Sequence, residues 1–259
     1  MAAAERWSAL LEILARDGRI LIEPTAAELG VSAATVRRDL DELARQQLAV
    51  RTRGGAVASA VSYELPLRYK ESRHAERKQR IAAAAAELVA PGAVVGLNGG
   101  TTTTEVARAL VARRSATAGP IPVTVVTNAL NIANELVVRQ HAKTVVTGGV
   151  ARPSSYELVG PLAEQLLAEV ALEDAILGVD AIDAASGVYA HHEGEAAVNR
   201  LMVRRARRVI VVADASKLAA RAFARICPID QVDILVTDVS ADPDALQPLV
   251  EAGVRVVTA

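Results

Sequence analysis

Apolar residues recur at helical spacing through the first fifty positions and gather into short β-branched runs after about residue 76. Leu10, Leu11 and Leu14 make one face of a helix predicted over 5–16. Thr25 and Glu28 stand at capping-box spacing and predict a short helix over 25–30, with Gly30 placed to close it. A further helix is predicted over 32–46. Ser32 suits its N-cap, because a hydroxyl there accepts from an unpaired first-turn N–H. Val36, Leu40 and Leu43 form its apolar stripe, and Thr35, Arg37 and Arg38 leave that stripe and face outward. The run Leu48-Ala-Val-Arg-Thr-Arg53 then reads as a strand entering the Gly54-Gly55 turn.

Beyond residue 76 helical and strand patterns alternate. Strands are predicted over 93–97, 123–127, 143–147, 174–178, 208–213, 232–236 and 255–257. Helices are predicted over 75–89, 104–113, 129–138, 161–170, 194–206 and 242–252, with an irregular stretch before residue 161. Val/Ile runs without alternation suit a parallel sheet covered on both faces. The class is α/β, and ligands are expected beyond the strand C-termini. Residues 61–74, rich in Arg and Lys and interrupted by Pro66, read as a linker between a domain at 1–60 and one at 75–259.

Composition narrows the partners. The net charge of −1 excludes a generally polybasic protein, and 2% aromatics argues against stacking platforms for single-stranded nucleic acid. Residues 1–60 hold eight Arg against eight acids, whereas 32–56 hold five Arg against three acids, a local excess of +2. Such a footprint favours a protein that reads repeated half-sites as a homo-oligomer, dimer or tetramer. One cysteine, Cys227, cannot form an internal disulfide and suits the reducing cytoplasm. The start is not a signal peptide, and the longest apolar stretch, 81–97, is broken by Glu87, Pro91 and Gly92, so no membrane span is expected.

An Arg-Arg pair on a helix is ordinarily a solvated face. The succession of short helix, turn, capped helix and Arg-Gly-Gly hairpin instead describes a winged helix-turn-helix, a reader of double-stranded DNA. Its second helix would meet the major groove, and Arg51 and Arg53 would reach phosphates or the minor groove. In the second domain, Asn98-Gly-Gly-Thr-Thr-Thr-Thr104 leaves a strand and opens a helix. Glycines permit close approach, and a helix N-terminus presents free N–H groups, which together suit a phosphate. Asn128, Gly148-Gly149, Asp180, Asp214-Ala-Ser-Lys217 and Glu195 fall at other strand or helix ends, and Lys217 is the natural cation for an anionic ligand. Adjacent His191 and His192 are poorly placed to chelate one ion, so no metal or other cofactor is expected.

These pieces resemble the DeoR family of bacterial transcriptional regulators over nearly the whole chain. The matching residues are Ser32, Thr35-Val-Arg-Arg-Asp-Leu40, Arg53-Gly-Gly-Ala56, Gly99-Gly-Thr-Thr-Thr103, Val126-Thr-Asn128, Thr147-Gly-Gly149, Asp174, Gly178, Asp180, Gly187, Glu195-Ala196 and Asp214-Ala-Ser-Lys217. The resemblance implies a winged helix-turn-helix joined to an effector domain similar in fold to ribose-5-phosphate isomerase and glucosamine-6-phosphate deaminase. It implies repression of sugar-catabolism genes, tuned by a phosphorylated sugar. By it, Arg37, Arg38, Arg53 and Gly54 meet DNA. Gly99, Gly100, Thr101, Thr102 and Thr103 hold the phosphate, and Asp180, Glu195 and Lys217 face the sugar. The chain departs from the family at Arg53, where His is common, and at Asn98, where Asp is common.

Two other functions compete. A sugar-phosphate isomerase or deaminase would use Asp180, Glu195 and Lys217 as acid–base groups, but a DNA-reading module has no place on such an enzyme. A redox sensor with a dinucleotide domain would need Gly-x-Gly-x-x-Gly after the first strand, which is absent. The expected function is therefore regulatory and not enzymatic.

Overall fold

Leu10, Leu11, Leu14, Val36, Leu40 and Leu43 come together as the buried centre of the N-terminal unit, each burial contributing about 1.5–3 kcal/mol. The computed structural model describes residues 3–46, 48–58, 74–113, 123–139 and 142–259. The chain divides into two units, Met1–Arg73 and His74–Ala259. The expected linker at 61–74 lies outside the described residues, apart from His74.

The first unit runs α1 (Ala3–Asp17), β1 (Arg19–Leu21), α2 (Ile22–Glu28), α3 (Ala33–Arg45), β2 (Ala49–Thr52) and β3 (Gly55–Ala58). Its antiparallel sheet has the order β1-β3-β2. Helix α2 begins three residues before Thr25, so the capping-box reading fails. Thr25 is buried inside the helix, and Leu21 precedes it without a side-chain cap. Pro24 falls in the first turn, where a missing N–H costs nothing. Gly30 does close the helix, at φ 62°, and Val31 N–H donates back to Ala26 O at 3.0 Å.

The second unit begins with α4 (Ala75–Glu87), β4 (Val94–Leu97), α5 (Thr101–Ala112), β5 (Val123–Thr127), α6 (Leu130–Leu136) and β6 (Ala142–Val146). A hairpin of β7 (Val150–Ala151) and β8 (Leu158–Val159) follows, then α7 (Pro161–Ala168) and β9 (Leu172–Gly178). Next come β10 (Ala181–Asp183), β11 (Gly187–Ala190), α8 (Glu193–Arg205), β12 (Ala206–Val212) and β13 (Ala224–Cys227). The unit ends with β14 (Ile234–Thr237), α9 (Pro243–Glu251) and β15 (Arg255–Thr258). Seven parallel strands form one sheet in the order β15-β14-β12-β9-β4-β5-β6.

Both faces of that sheet are covered, which is why its strands lack alternation. Ile176, Val95 and Val125 pack with α4, α5 and α6, while Ala175, Leu177 and Val209 pack with α7 and α8. Strand order reverses between β4 and β9, and ligands collect in the crevice beyond the C-terminal ends of strands at such a point. Both the β7–β8 hairpin and the small antiparallel sheet β10-β11-β13 stand outside the predicted pattern.

Candidate functional site

In the first unit the start of α3 is set by its cap. Ser32 Oγ accepts from Thr35 N–H at 3.1 Å, and the two hydroxyls lie 2.9 Å apart. Both residues thus fix which side chains the first turns display. Arg37 and Arg38 are exposed there. Arg37 Nη2 sits 3.3 Å from Glu23 Oε1 on α2, a solvent-exposed pair of little energetic weight. The other face of α3 is held by Asp39, a buried carboxylate that the sequence pattern did not single out. It accepts from Arg6 Nε at 2.7 Å, Arg6 Nη2 at 3.1 Å and Trp7 Nε1 at 2.8 Å.

Arg53 and Gly54 occupy the exposed turn between β2 and β3. The next residue must be glycine, because a Cβ on Gly55 would lie 1.8 Å from Ile20 O. Arg51 has a different situation from Arg53. Its Nε lies 2.8 Å from Asp41 Oδ1 on α3, and its Nη1 donates to Gly55 O at 2.5 Å. It ties the hairpin to the helix, which leaves Arg37, Arg38 and Arg53 as the exposed cations of the predicted set.

In the second unit the predicted residues distribute along the C-terminal edge of the parallel sheet. Asn98, Gly99 and Gly100 follow β4, Asn128 follows β5, Gly178 ends β9 with Asp180 two residues beyond it, and the Asp214–Lys217 segment follows β12. Glu195 lies in the first turn of α8. An isolated bridge between Ile182 and Leu218 brings the Lys217 segment beside the strand that begins just after Asp180.

The turn before α5 is built for close approach. Asn98 is buried and bonds in both directions to Gly178, and Gly100 serves as N-cap at φ 130° without any side-chain cap. Gly99 passes under the β7–β8 hairpin, where a Cβ would lie 2.4 Å from Glu157 Cγ. The threonines divide by role. Thr103 is fully buried and donates to Gly100 O at 3.1 Å, and Thr104 donates to the same oxygen at 2.7 Å. The hydroxyls of Thr101 and Thr102 make no hydrogen bond among the described residues. Thr101 is half-buried and Thr102 buried, and the first-turn N–H groups of α5 have no side-chain cap.

Asn128 is fully buried and supports the hairpin, donating to Glu157 Oε2 at 2.8 Å and to Leu158 O at 3.2 Å. Asp180 accepts from His191 N–H at 2.8 Å, and His192 caps α8 by accepting from Gly194 N–H at 3.0 Å. Both histidines thus have local structural uses. Glu195 is buried and paired with Arg152 from the hairpin. Lys217 is half-buried and forms no ion pair among the described residues. Arg152 and Glu157 escaped the sequence pattern, since a hairpin of two-residue strands carries no periodicity. The Gly148-Gly149 pair and Gly160, all at positive φ, bracket it and were its available signal. No group of three or more His, Cys, Asp or Glu suited to a metal occurs among the described residues.

Comparison with known proteins matches residues 6–60 to the DeoR-like helix-turn-helix domain and residues 73–239 to the DeoR C terminal sensor domain. The chain belongs to the DeoR family. The family is one of DNA-binding regulators, so the enzyme alternative is set aside. Among its relatives, the HTH-type transcriptional regulator GlpR of Haloferax volcanii is 38% identical over 99% of this chain and 98% of its own. The glycerol-3-phosphate regulon repressor of Escherichia coli is 29% identical over 97% of each chain. The full-length sorbitol operon regulator SorC of Klebsiella pneumoniae aligns at a TM-score of 0.41 and 14% identity, over 94% of this chain and 98% of its own. A structural likeness at that level adds nothing to the site. The DeoR-family sensor domain thus coincides with the unit that carries the Asn98–Gly100 turn, and the helix-turn-helix with the unit that displays Arg37 and Arg38.

Proposed function

We propose that this chain is a transcriptional repressor of carbohydrate-metabolism genes whose hold on its operator is tuned by a phosphorylated sugar. One observation carries the effector half: an uncapped N-terminus of α5 at the strand-order reversal, with a Gly-Gly turn clamped in place by Asn98. The phosphate sits on the first turn of α5, with Thr101 and Thr102. Asp180, Glu195 and Lys217 address the sugar, and Arg152 and Glu157 join them. Arg37 and Arg38 read the major groove, and Arg53 and Gly54 lie against the adjacent backbone. The relatives are named as regulators, one of them for the glycerol-3-phosphate regulon, which supports a small phosphorylated polyol or sugar as the ligand class.

Residues 1–60 form the DNA-binding domain, 61–74 the linker and 75–259 the effector domain. The modest local charge favours a homo-oligomer on repeated half-sites, and the DNA target favours the cytoplasm. No described helix is long and apolar enough to cross a membrane. The test is a gel shift on the promoter of the protein's own operon, at low salt, with a panel of sugar phosphates. A retarded band that one member of the panel weakens or strengthens is the expected result. No band on any neighbouring promoter contradicts the proposal.

A further inference from the structure

A cleft of about 370 Å³ opens between α8 and β13, on the far stretch of α8 from Glu195. Its volume lies within the range of small-molecule sites. Arg200, Arg204 and Arg225 line it, with Cys227 and Gln231. Arg200 and Arg204 lie five and nine residues beyond Glu195, about 7.5 and 13.5 Å along the helix axis at 1.5 Å per residue. None of the residues proposed for the effector lines this cleft.

The three guanidiniums are poorly neutralised. None forms an ion pair within 4.0 Å among the described residues, although other arginines of this unit do, such as Arg108 with Glu135 and Arg208 with Asp174. Asp230 is the one carboxylate whose charge is felt at the Cys227 end of the cleft. Arg200 and Arg204 stand four apart on one helix, a like-charge spacing that is mildly destabilising by itself. The C-terminus of α8 accounts for a cation at Arg204 but not for Arg225, which comes from a separate strand.

Arg200 is also held in place. Its Nε donates to Ile226 O at 3.2 Å and its Nη2 to Arg225 O. Those bonds fix the guanidinium plane and leave its remaining donors unused, out of five. All three arginines are exposed, and one fixed guanidinium plane beside two others suits the several oxygens of a phosphoryl group. Burial pushes the Cys227 thiol up to about 11, with Asp230 adding to the rise and Arg225 and Arg200 opposing it. Cys227 therefore adds a neutral thiol, and no negative charge, to the lining.

We propose that this cleft is a second anion site, separate from the effector site, that takes the phosphoryl end of a small phosphorylated compound through Arg200, Arg204 and Arg225.

Calorimetric titration of the full-length protein with tripolyphosphate tests it, comparing wild type, R204A/R225A and the effector-site variant K217E. Arg204 and Arg225 are exposed, so the double variant keeps the wild-type melting temperature. Its tripolyphosphate affinity at this site falls by roughly tenfold or more, as loss of charge-assisted hydrogen bonds implies. K217E retains that binding, and R204A/R225A retains its operator affinity. Undiminished binding by R204A/R225A overturns the proposal, as does binding lost only in K217E. A changed oligomeric state of R204A/R225A with no tripolyphosphate binding by wild type also overturns it, and marks the cleft as a contact between copies.

Discussion

Asn98 and Gly178 hold each other across the point where strand order reverses: Asn98 Nδ2 donates to Gly178 O, and Gly178 N–H donates to Asn98 Oδ1, both at 2.8 Å. The amide supplies the donor and the acceptor from one planar group. An ionised carboxylate accepts but cannot donate. Asn98→Asp therefore leaves Gly178 O without its donor and puts a charge near the Glu157 carboxylate that overlies Gly99. The expected loss is about 1–3 kcal/mol of stability, read as a lower midpoint in urea, together with weaker effector binding. Asn98→Asp at wild-type stability contradicts the clamp.

Asp39 is the corresponding anchor in the DNA-binding unit. Asp39→Ala removes the acceptor of Arg6 Nε and Nη2 and of Trp7 Nε1, and loss of these bonds to a buried carboxylate is expected to cost about 1–3 kcal/mol. The helix-turn-helix is expected to lose cooperative unfolding. Operator affinity falls because less protein is folded, so the salt dependence of the remaining binding is unchanged.

The arginines separate by readout. Arg37→Ala and Arg38→Ala are expected to leave the melting temperature unchanged and to weaken operator binding. A residue that contacts phosphate also lowers the slope of log K against log salt by about one. Arg51→Ala is expected to do the reverse, with a lower midpoint for the first unit through loss of its Asp41 and Gly55 partners, and little change in salt slope. Unchanged operator binding in Arg37→Ala and Arg38→Ala, or weaker binding at unchanged stability in Arg51→Ala, contradicts this division.

Asp238 and Asp183 contribute to the acid response of the second unit. Burial by itself would raise the Asp238 carboxyl. The Ser240 hydroxyl, the N–H groups of Ala215 and Ser240, and Arg77 together hold it below its ordinary value. Asp183 is lowered chiefly by the Ser186 hydroxyl, then by Ser186 N–H and Arg221, against an opposing effect of burial. Both folded values lie below the unfolded ones. Their stabilisation is thus complete above the ordinary carboxylate range, about 3.9, and disappears as pH falls through the folded values. Urea midpoints measured from pH 6 down to pH 2 are expected to fall more steeply for wild type than for Asp238→Asn.

The large elements were legible because their patterns are long. Val36, Leu40 and Leu43 specify α3, and Val/Ile runs specify all seven parallel strands to within a few residues at each end. The misses have physical causes. Thr25 and Glu28 match a capping box, but burial of Ile22 and the tolerance of a first turn for Pro24 start α2 earlier. β1 has three residues, and β7 and β8 two each, too few to show a period, so Arg152 and Glu157 were invisible beside the effector residues. Thr103 shares a sequence run with Thr101 and Thr102, yet the helix turns its hydroxyl back onto Gly100 O. Their different positions on the first turn of the helix separate the three.

The most direct measurement is operator DNA binding by fluorescence anisotropy, titrated with a sugar phosphate and with the same sugar lacking its phosphate. The account predicts that a cognate phosphorylated sugar shifts operator affinity by roughly 5–150-fold. The unphosphorylated sugar is without effect, and Thr101→Glu, which puts a carboxylate on the first turn of α5, abolishes the shift but not DNA binding. An equal response to both sugars, or a full response in Thr101→Glu, contradicts it.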